Sequence, residues 1–158
     1  MKELAFLNEK IINSILDKLG DGKNLKIIYF SELYKRLLEE KEKDLVKSFL
    51  KLNSRDYGFR GKFIGVGAIP KNLASVGEQF LPRQVLSAFL GMNEDLESDV
   101  GKKLMIFSGY RSPAYQAIVF LRCLKDNKFD FLKTTTGIAF PGYSEHGDPV
   151  NPAIDFCT

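Results

Sequence analysis

The sequence predicts an α+β fold, because stretches with helical periodicity are interspersed with short apolar runs bounded by turn residues. Helical patterns cover most of the first fifty residues, residues 82–101 and residues 112–127. The extended candidates are the glycine- and aromatic-rich stretch DYGFRGKFIGVGAIP and the runs KLMIFS, GIAF and AIDF. With 158 residues, 44% of them hydrophobic, the chain is long enough to bury a real core.

The first fifty residues predict two amphipathic helices. Leucines and isoleucines recur at helical spacing over residues 2–19, and Gly20 follows as a C-terminal cap. A second apolar stripe runs to Leu50, with Ser31 as its N-cap and the charged run EEKEKD on its solvated face. Because the composition changes at Asp56, we interpret residues 1–55 as an N-terminal helical extension and residues 56–158 as the functional domain.

Later elements have stronger local signals. Pro82 is expected in the first turn of a third helix that ends near Gly101, and KLMIFS, residues 103–108, reads as a buried strand. The next helix begins at Ser112, a good N-cap, with Pro113 at its first position. GIAF, residues 137–140, and AIDF, residues 153–156, complete the extended segments.

Composition excludes several classes of protein. The net charge of +3 comes from 23 basic and 20 acidic residues spread along the chain, which gives no indication of a nucleic-acid partner. Charges interrupt the first twenty residues, so no secretory signal peptide is visible, and no apolar run is long enough for a membrane span. Cys123 and Cys157 form neither a CxxC pair nor a disulfide framework.

The only histidine, His146, lies in the turn-rich segment PGYSEHGDP. A lone histidine is more often structural than a ligand. Asp155, however, follows in a short apolar run, where an unpaired carboxylate would be costly. A cation shared by the two side chains would remove that cost, and zinc suits such nitrogen and oxygen ligands.

Two motifs give a family resemblance. SEHGDPVNPAIDF resembles the Ser-x-His-x-x-Gly-x-Ala-x-Asp signature of the zinc D-alanyl-D-alanine carboxypeptidases and dipeptidases, a group that includes vancomycin-resistance enzymes and some phage endolysins. SGYRSPAYQ, residues 108–116, is similar to the family's upstream Ser-x-Tyr-Arg-Ser segment and its following glutamine. The resemblance extends from about Asp56 to the end of the sequence.

The resemblance implies a small, mainly antiparallel sheet flanked by helices, as in Hedgehog and DD-peptidase domains. It makes His146 and Asp155 zinc ligands, and it places Arg111 against the scissile carbonyl, where a cation stabilises an oxyanion. Ser144 and Gln116 are then expected to bind substrate, Gln116 in a supporting role. The implied substrate is the terminal D-Ala-D-Ala bond of a peptidoglycan stem peptide, which implies action at the cell envelope.

Each of these residues also has an ordinary structural interpretation. Arg111 could pair with a surface carboxylate, and Ser144 could simply shape a turn.

The sequence departs from the signature in two ways. Eight residues separate His146 from Asp155, two more than in the signature, and Asn151 stands in for its glycine, as a residue that tolerates positive φ. The family's Glu-x-x-Trp-His segment, which supplies the third ligand and the general base, has no counterpart. Neither Glu145 nor Asp148 is placed by a motif to replace it. We therefore expect a chain truncated before the third ligand and inactive by itself.

Two alternatives stay open. One is a non-catalytic module that binds peptidoglycan peptides or a partner protein through the same cleft. The other is an endolysin-like peptidase of the same fold that cuts a different bond of the stem peptide.

Overall fold

The computed structural model describes residues 7–59, 61–67 and 69–157. The helices are α1 (Glu9–Leu19), α2 (Phe30–Arg36), α3 (Glu40–Leu50), α4 (Arg83–Val100), α5 (Pro113–Asp126) and α6 (Phe131–Gly137). The strands are β1 (Leu73–Val76), β2 (Gln79–Pro82), β3 (Met105–Ser108) and β4 (Asp155–Cys157). Short 3₁₀ turns cover Lys23–Leu25, Ser54–Tyr57 and Glu145–Gly147.

The α+β prediction is confirmed, and the strand pairing is antiparallel. β1 and β2 form a hairpin with Leu73 opposite Pro82, and β3 pairs with β4 with Met105 opposite Cys157. The two pairs form separate two-stranded sheets, so the small sheet flanked by helices is divided into two ribbons. The β3–β4 ribbon joins the two motif segments, because Ser108 lies opposite Asp155.

Local capping chemistry predicted several helix ends correctly. Gly20 and Gly101 are the C-caps of α1 and α4, both with positive φ. Ser112 caps α5 through a hydrogen bond from the Tyr115 N–H to its Oγ, and Pro113 is the first helical residue. Pro82, expected in the first turn of α4, lies one position before the helix as its N-cap. The predicted start of the first helix, before residue 7, lies outside the described residues.

The prediction of one continuous second helix is wrong, and so is the prediction that its whole charged run is solvated. Its span is divided into α2 and α3, and α2 is capped by Tyr29 rather than Ser31. Glu42 of the charged run is only 3% exposed. Its carboxylate accepts hydrogen bonds from the Glu39 N–H and from Ser14 and Lys18 of α1. A helix starts anew at residue 40 because Glu39 and Glu42 form a reciprocal capping box.

The extended segments differ from prediction in burial and in type. β3 is not a buried strand, since Met105 and Phe107 are more than half exposed. GIAF forms no strand, because Gly137 is the last residue of α6 and the three residues after it pair with no other strand. Asn151 has no positive φ, and its N–H donates instead to the Asp148 carboxylate.

One hydrophobic cluster joins the N-terminal helices to the rest of the molecule. Ile12 and Ile15 of α1 and Phe49 of α3 share it with Phe120 of α5 and with Phe140. The Phe120 ring lies 5.7 Å from Phe49 and 5.0 Å from Phe140. The division at residue 55 stays a prediction, but residues on both sides of it contribute to the same core.

Within the described part of the chain, each helix is too short or too polar to cross a bilayer.

Candidate metal and substrate site

The two motif segments meet in the fold. The Arg111 N–H donates to the His146 carbonyl at 2.9 Å, so the residue before the α5 cap lies directly against the Glu145–Gly147 turn. An added Cβ at Gly147 would lie 3.3 Å from the Arg111 carbonyl oxygen, which shows how closely the two backbones approach. Residues far apart in the sequence therefore form one site.

Gly109 allows the upstream motif to pack this closely. A Cβ at this position would lie 2.6 Å from the Phe80 carbonyl oxygen of β2, a distance that real Cβ atoms do not reach. The neighbouring Tyr110 N–H donates to that same carbonyl at 2.7 Å. The glycine lets the chain turn against β2 and directs its own carbonyl to the histidine.

His146 is held with one ring nitrogen committed. Its side chain is 11% exposed, and its Nδ1 lies 3.0 Å from the Gly109 carbonyl oxygen. A carbonyl only accepts, so in the neutral ring the proton is on Nδ1 and Nε2 has a free lone pair. This is the tautomer that can bind a metal through Nε2.

Asp155 meets the free nitrogen. It is the first residue of β4, and its Oδ2 lies 3.3 Å from His146 Nε2. The Asp155 side chain is 56% exposed, so the cost expected from burying it is smaller than the sequence suggested. Asp155 is assigned to the site because its carboxylate contacts His146, and not because it is buried.

Burial and neighbouring charge keep the His146 imidazole neutral at neutral pH, so that one ring nitrogen carries no proton. Burial lowers the pKa of His146 below its usual 6.5, and the nearby Arg111 cation lowers it further. The Gly109 carbonyl, Asp155 and the backbone of Ala153 act in the opposite direction without overcoming these effects. A neutral imidazole then presents a lone pair to a carboxylate oxygen, an arrangement that a cation between them would stabilise.

The pair fits zinc in chemistry and spacing. Nitrogen and oxygen ligands about 2.0–2.1 Å from a tetrahedral zinc lie about 3.3 Å apart, which matches the Nε2–Oδ2 distance. Within residues 7–59, 61–67 and 69–157, no group of three or more histidine, cysteine, aspartate or glutamate side chains is arranged to hold a metal. The described residues thus offer two of the three protein ligands that a catalytic zinc usually has.

A cavity of about 660 Å³ opens onto this pair. Arg111, Ser144, His146 and Asp155 all line it. The other lining residues are Phe59, Gly61, Lys62, Ile64, Gly137, Ile138, Ala139, Tyr143, Glu145, Asp148, Asn151 and Ala153. A larger cavity of about 1000 Å³ shares Arg111 but contains none of the other three residues. The smaller cavity is therefore the one in which the predicted chemistry comes together.

Arg111 and Ser144 are placed to bind a ligand in this cavity. Burial lowers the pKa of Arg111 and the Asp155 charge raises it, but a guanidinium stays charged at neutral pH. Ser144 is 6% exposed, and its hydroxyl makes no capping bond to the turn that follows. A fixed cation and a hydroxyl beside one open space can receive a carboxylate or a developing oxyanion.

Gln116 is not in the cavity with the others. It is 1% exposed on α5, and its Nε2 donates to the Ala139 carbonyl at 2.8 Å. It lines a narrow void behind Arg111 instead. Gln116 therefore shares this void with Arg111 and Ser144 but does not line the cavity that contains His146 and Asp155.

Sequence reasoning missed one wall of the site. Residues 61–64 lie across it, held by the Ile64 N–H, which donates to the Gly142 carbonyl, and by the Phe63 ring, 5.1 Å from Tyr143. Lys62 in this segment lines the cavity and adds a positive charge near Asp148. Only the unusual glycine and aromatic content of the segment could have indicated such a role.

Comparison with protein-family models, with curated proteins and with solved structures finds no match to this chain.

Proposed function

We propose that this protein is a zinc-dependent peptidase, similar to the D-alanyl-D-alanine carboxypeptidases, that hydrolyses the terminal D-Ala-D-Ala bond of peptidoglycan stem peptides. The observation that supports this most directly is the His146 Nε2–Asp155 Oδ2 pair, 3.3 Å apart with the imidazole in the metal-binding tautomer. Arg111 and Ser144 beside it supply what the substrate of such an enzyme requires. The substrate would place its action at the cell envelope.

In this proposal each residue has a distinct part in hydrolysis. His146 and Asp155 hold the zinc, which when bound polarises the scissile carbonyl and lowers the pKa of the attacking water. Arg111 stabilises the negative charge that develops on the carbonyl oxygen in the transition state. Ser144 donates a hydrogen bond to the terminal carboxylate and so fixes the end of the peptide.

Turnover also needs a third ligand and a general base. We expect the His146–Asp155 pair to bind zinc, and Arg111 and Ser144 to bind the dipeptide end. Because the described residues bring no third ligand to the pair, we do not expect this chain to hydrolyse the bond by itself. Hydrolysis is expected where a further ligand and a base are supplied.

The first test is zinc binding measured by titration calorimetry. Chain that has been stripped of metal should bind one zinc, and His146→Gln or Asp155→Asn should weaken binding at least about a hundredfold, because losing even an outer contact of a metal site costs about 10–100-fold. Asp95→Asn is the matched control: this carboxylate is exposed on α4 and lines none of the cavities that include Arg111, so the change should leave affinity unchanged. Equal affinity in all three variants would reject the site.

The second test separates a peptidase from a binding module. The shortage of ligands among the described residues is the observation that favours the binding-only function. With zinc present, a D-Ala-D-Ala peptide should bind, and Arg111→Ala should weaken that binding. Release of D-alanine identifies a peptidase, release of another fragment identifies an endolysin-like bond preference, and binding without release identifies a module. Absence of any peptide binding contradicts all three.

A further inference from the structure

Two complementary polar atoms without a partner among the described residues belong to side chains that line the same narrow void. Arg111 Nε, a donor, and Gln116 Oε1, an acceptor, are both buried without a hydrogen bond among the residues that the structure describes. Both side chains line a void with Pro113, Ser144 and Gly147 that has no room for a water molecule. Solvent therefore cannot satisfy either atom, and an unsatisfied buried polar atom costs free energy.

The orientation of Gln116 is determined by its other end. Its amide nitrogen donates to the Ala139 carbonyl at 2.8 Å, and since a carbonyl only accepts, the amide cannot be flipped. The Oε1 atom must then face away from Ala139. Gln116 is also fixed at its backbone, because its N–H donates to the Ser112 carbonyl in the first turn of α5.

We propose that Gln116 is a positioning residue for Arg111. A small rotation of the two side chains closes the void, and the Arg111 Nε–H then donates to Gln116 Oε1. This bond fixes the plane of the guanidinium and leaves its terminal N–H groups directed at the cavity that contains His146 and Asp155. The pairing itself is independent of zinc, while its use in substrate binding rests on the proposed function.

The test observes the Nε–H groups of the arginines by ¹⁵N–¹H NMR on the full chain. Arg111→Lys, which has no Nε–H, assigns the resonance. In the unaltered protein we expect the Arg111 Nε–H to exchange slowly with water, and in Gln116→Met exchange should accelerate at least about tenfold, because a side chain of similar size remains but the acceptor is gone. The same exchange rate in both proteins would overturn the proposal.

Two further variants separate positioning from general packing. Gln116→Glu keeps an acceptor, so it should preserve slow exchange and move the Arg111 resonance in the direction of a stronger hydrogen bond. An unmoved resonance would count against the pairing, and this holds even if the methionine variant does not fold. Ser54→Ala removes another buried hydroxyl that has no hydrogen-bond partner among the described residues. Ser54 lines none of the cavities that include Arg111, so this variant should leave the Arg111 exchange rate unchanged.

A binding measurement then connects the pair to function. With zinc present, Gln116→Met should weaken D-Ala-D-Ala binding about tenfold, the effect of losing one well-placed hydrogen bond, and Gln116→Glu should restore most of it. If Gln116→Met has no effect on peptide affinity, the positioning role is rejected. If no variant binds peptide but the exchange rates behave as expected, the proposed function fails while the Gln116–Arg111 pair stands.

Discussion

The contacts of His146 determine its tautomer and lower its pKa, the two properties that decide whether it can bind a metal. One ring nitrogen is occupied by the Gly109 carbonyl, the other faces Asp155, and Arg111 lies close enough to oppose a positive charge on the ring. Burial and the Arg111 charge favour the neutral imidazole and outweigh the Gly109 carbonyl and Asp155, which favour the protonated ring. A metal ligand must be neutral, so the environment prepares the residue for that role before any metal arrives.

The first prediction concerns the pKa of His146. As the only histidine, it gives a single Cε1–H signal in the proton NMR spectrum of metal-free protein. The midpoint of its titration should lie below 6.5, and Arg111→Gln should move it upward, because the second cause of the lowering is removed. A midpoint at or above 6.5 would contradict the burial and charge described for the ring.

This lowered pKa also affects stability. Because the unfolded chain takes up a proton at His146 before the folded protein does, the free energy of unfolding should decrease as the pH falls from 6.5 through the folded pKa. The affinity for zinc should be constant at pH values above the pKa of His146 in the folded protein. Below that pKa it should decrease with falling pH, because protons compete with zinc for Nε2. Calorimetric titration across this range checks the affinity.

At the scale of elements, single buried polar residues connect neighbouring segments. Glu42 joins α3 to α1, and Asn93 of α4 clamps the start of β3: its Nδ2 donates to the Leu104 carbonyl and its Oδ1 accepts from the Leu104 N–H, both at 2.9 Å. Glu42 accepts from the Glu39 N–H, and Asn93 pairs with both backbone groups of Leu104. Short elements such as these need such connections, since their own hydrogen bonds are few.

Replacing Asn93 should separate α4 from β3. Asn93→Ala leaves the Leu104 N–H and carbonyl without partners in a partly buried position, which should lower the free energy of unfolding by about 1–3 kcal/mol. Ser87→Ala, on the exposed face of the same helix, should have little effect. Chemical denaturation followed by circular dichroism measures both, and equal stability of the two variants would contradict the clamp.

Glu42 should make stability depend on acid. Burial would raise its pKa, but the hydrogen bonds from the Glu39 N–H, Lys18 and Ser14 prevail and lower it below 4.5. Its contribution is therefore present above pH 4.5 and is lost as the pH falls through the lowered pKa.

Glu42→Gln should cost about 1–3 kcal/mol near neutral pH, and the difference from the unaltered protein should shrink below pH 4.5. Glu94→Gln, at an exposed position of α4, is the control and should show no measurable difference. Urea titrations at a series of pH values make the comparison, and a difference for Glu42→Gln that stays constant in acid would refute this account.

For the whole molecule, the important feature is the shared core. Phe120 is fully buried between Phe49 of α3 and the rings of Phe131 and Phe140, and α1 packs along α5. The same helix α5 begins with the cap that positions Arg111. The N-terminal helices therefore cover the back of the element that supports the site.

Removing the N-terminal helices tests this dependence. A fragment of residues 56–158 would expose the apolar side of α5, so we expect it to lack a cooperative thermal transition. In the full chain, Phe49→Ala should lower the free energy of unfolding by about 3–5 kcal/mol, as expected for truncating a fully buried ring. A sharp transition in the fragment would instead support the division at residue 55.

Much of the fold and part of the site could be predicted from sequence. Ser112, Pro113 and Gly101 determine helix ends through bonds within a few residues of themselves, so local patterns were sufficient. Arg111, Ser144, His146 and Asp155, which the motifs single out, line one cavity, and the roles assigned to them stay predictions. The break between α2 and α3 was missed, because the buried place of Glu42 depends on Ser14 and Lys18 of a distant segment.

The sequence by itself determined the α+β class, the caps and the residue types available for metal and carboxylate chemistry, because these depend on periodicity and on near neighbours. Only the tertiary structure decided which imidazole nitrogen is free, that it faces Asp155 at 3.3 Å, and that Gln116 lies outside the cavity lined by His146 and Asp155. Distances and burial arise from segments that meet only after the chain has folded. No pattern along the chain specifies them.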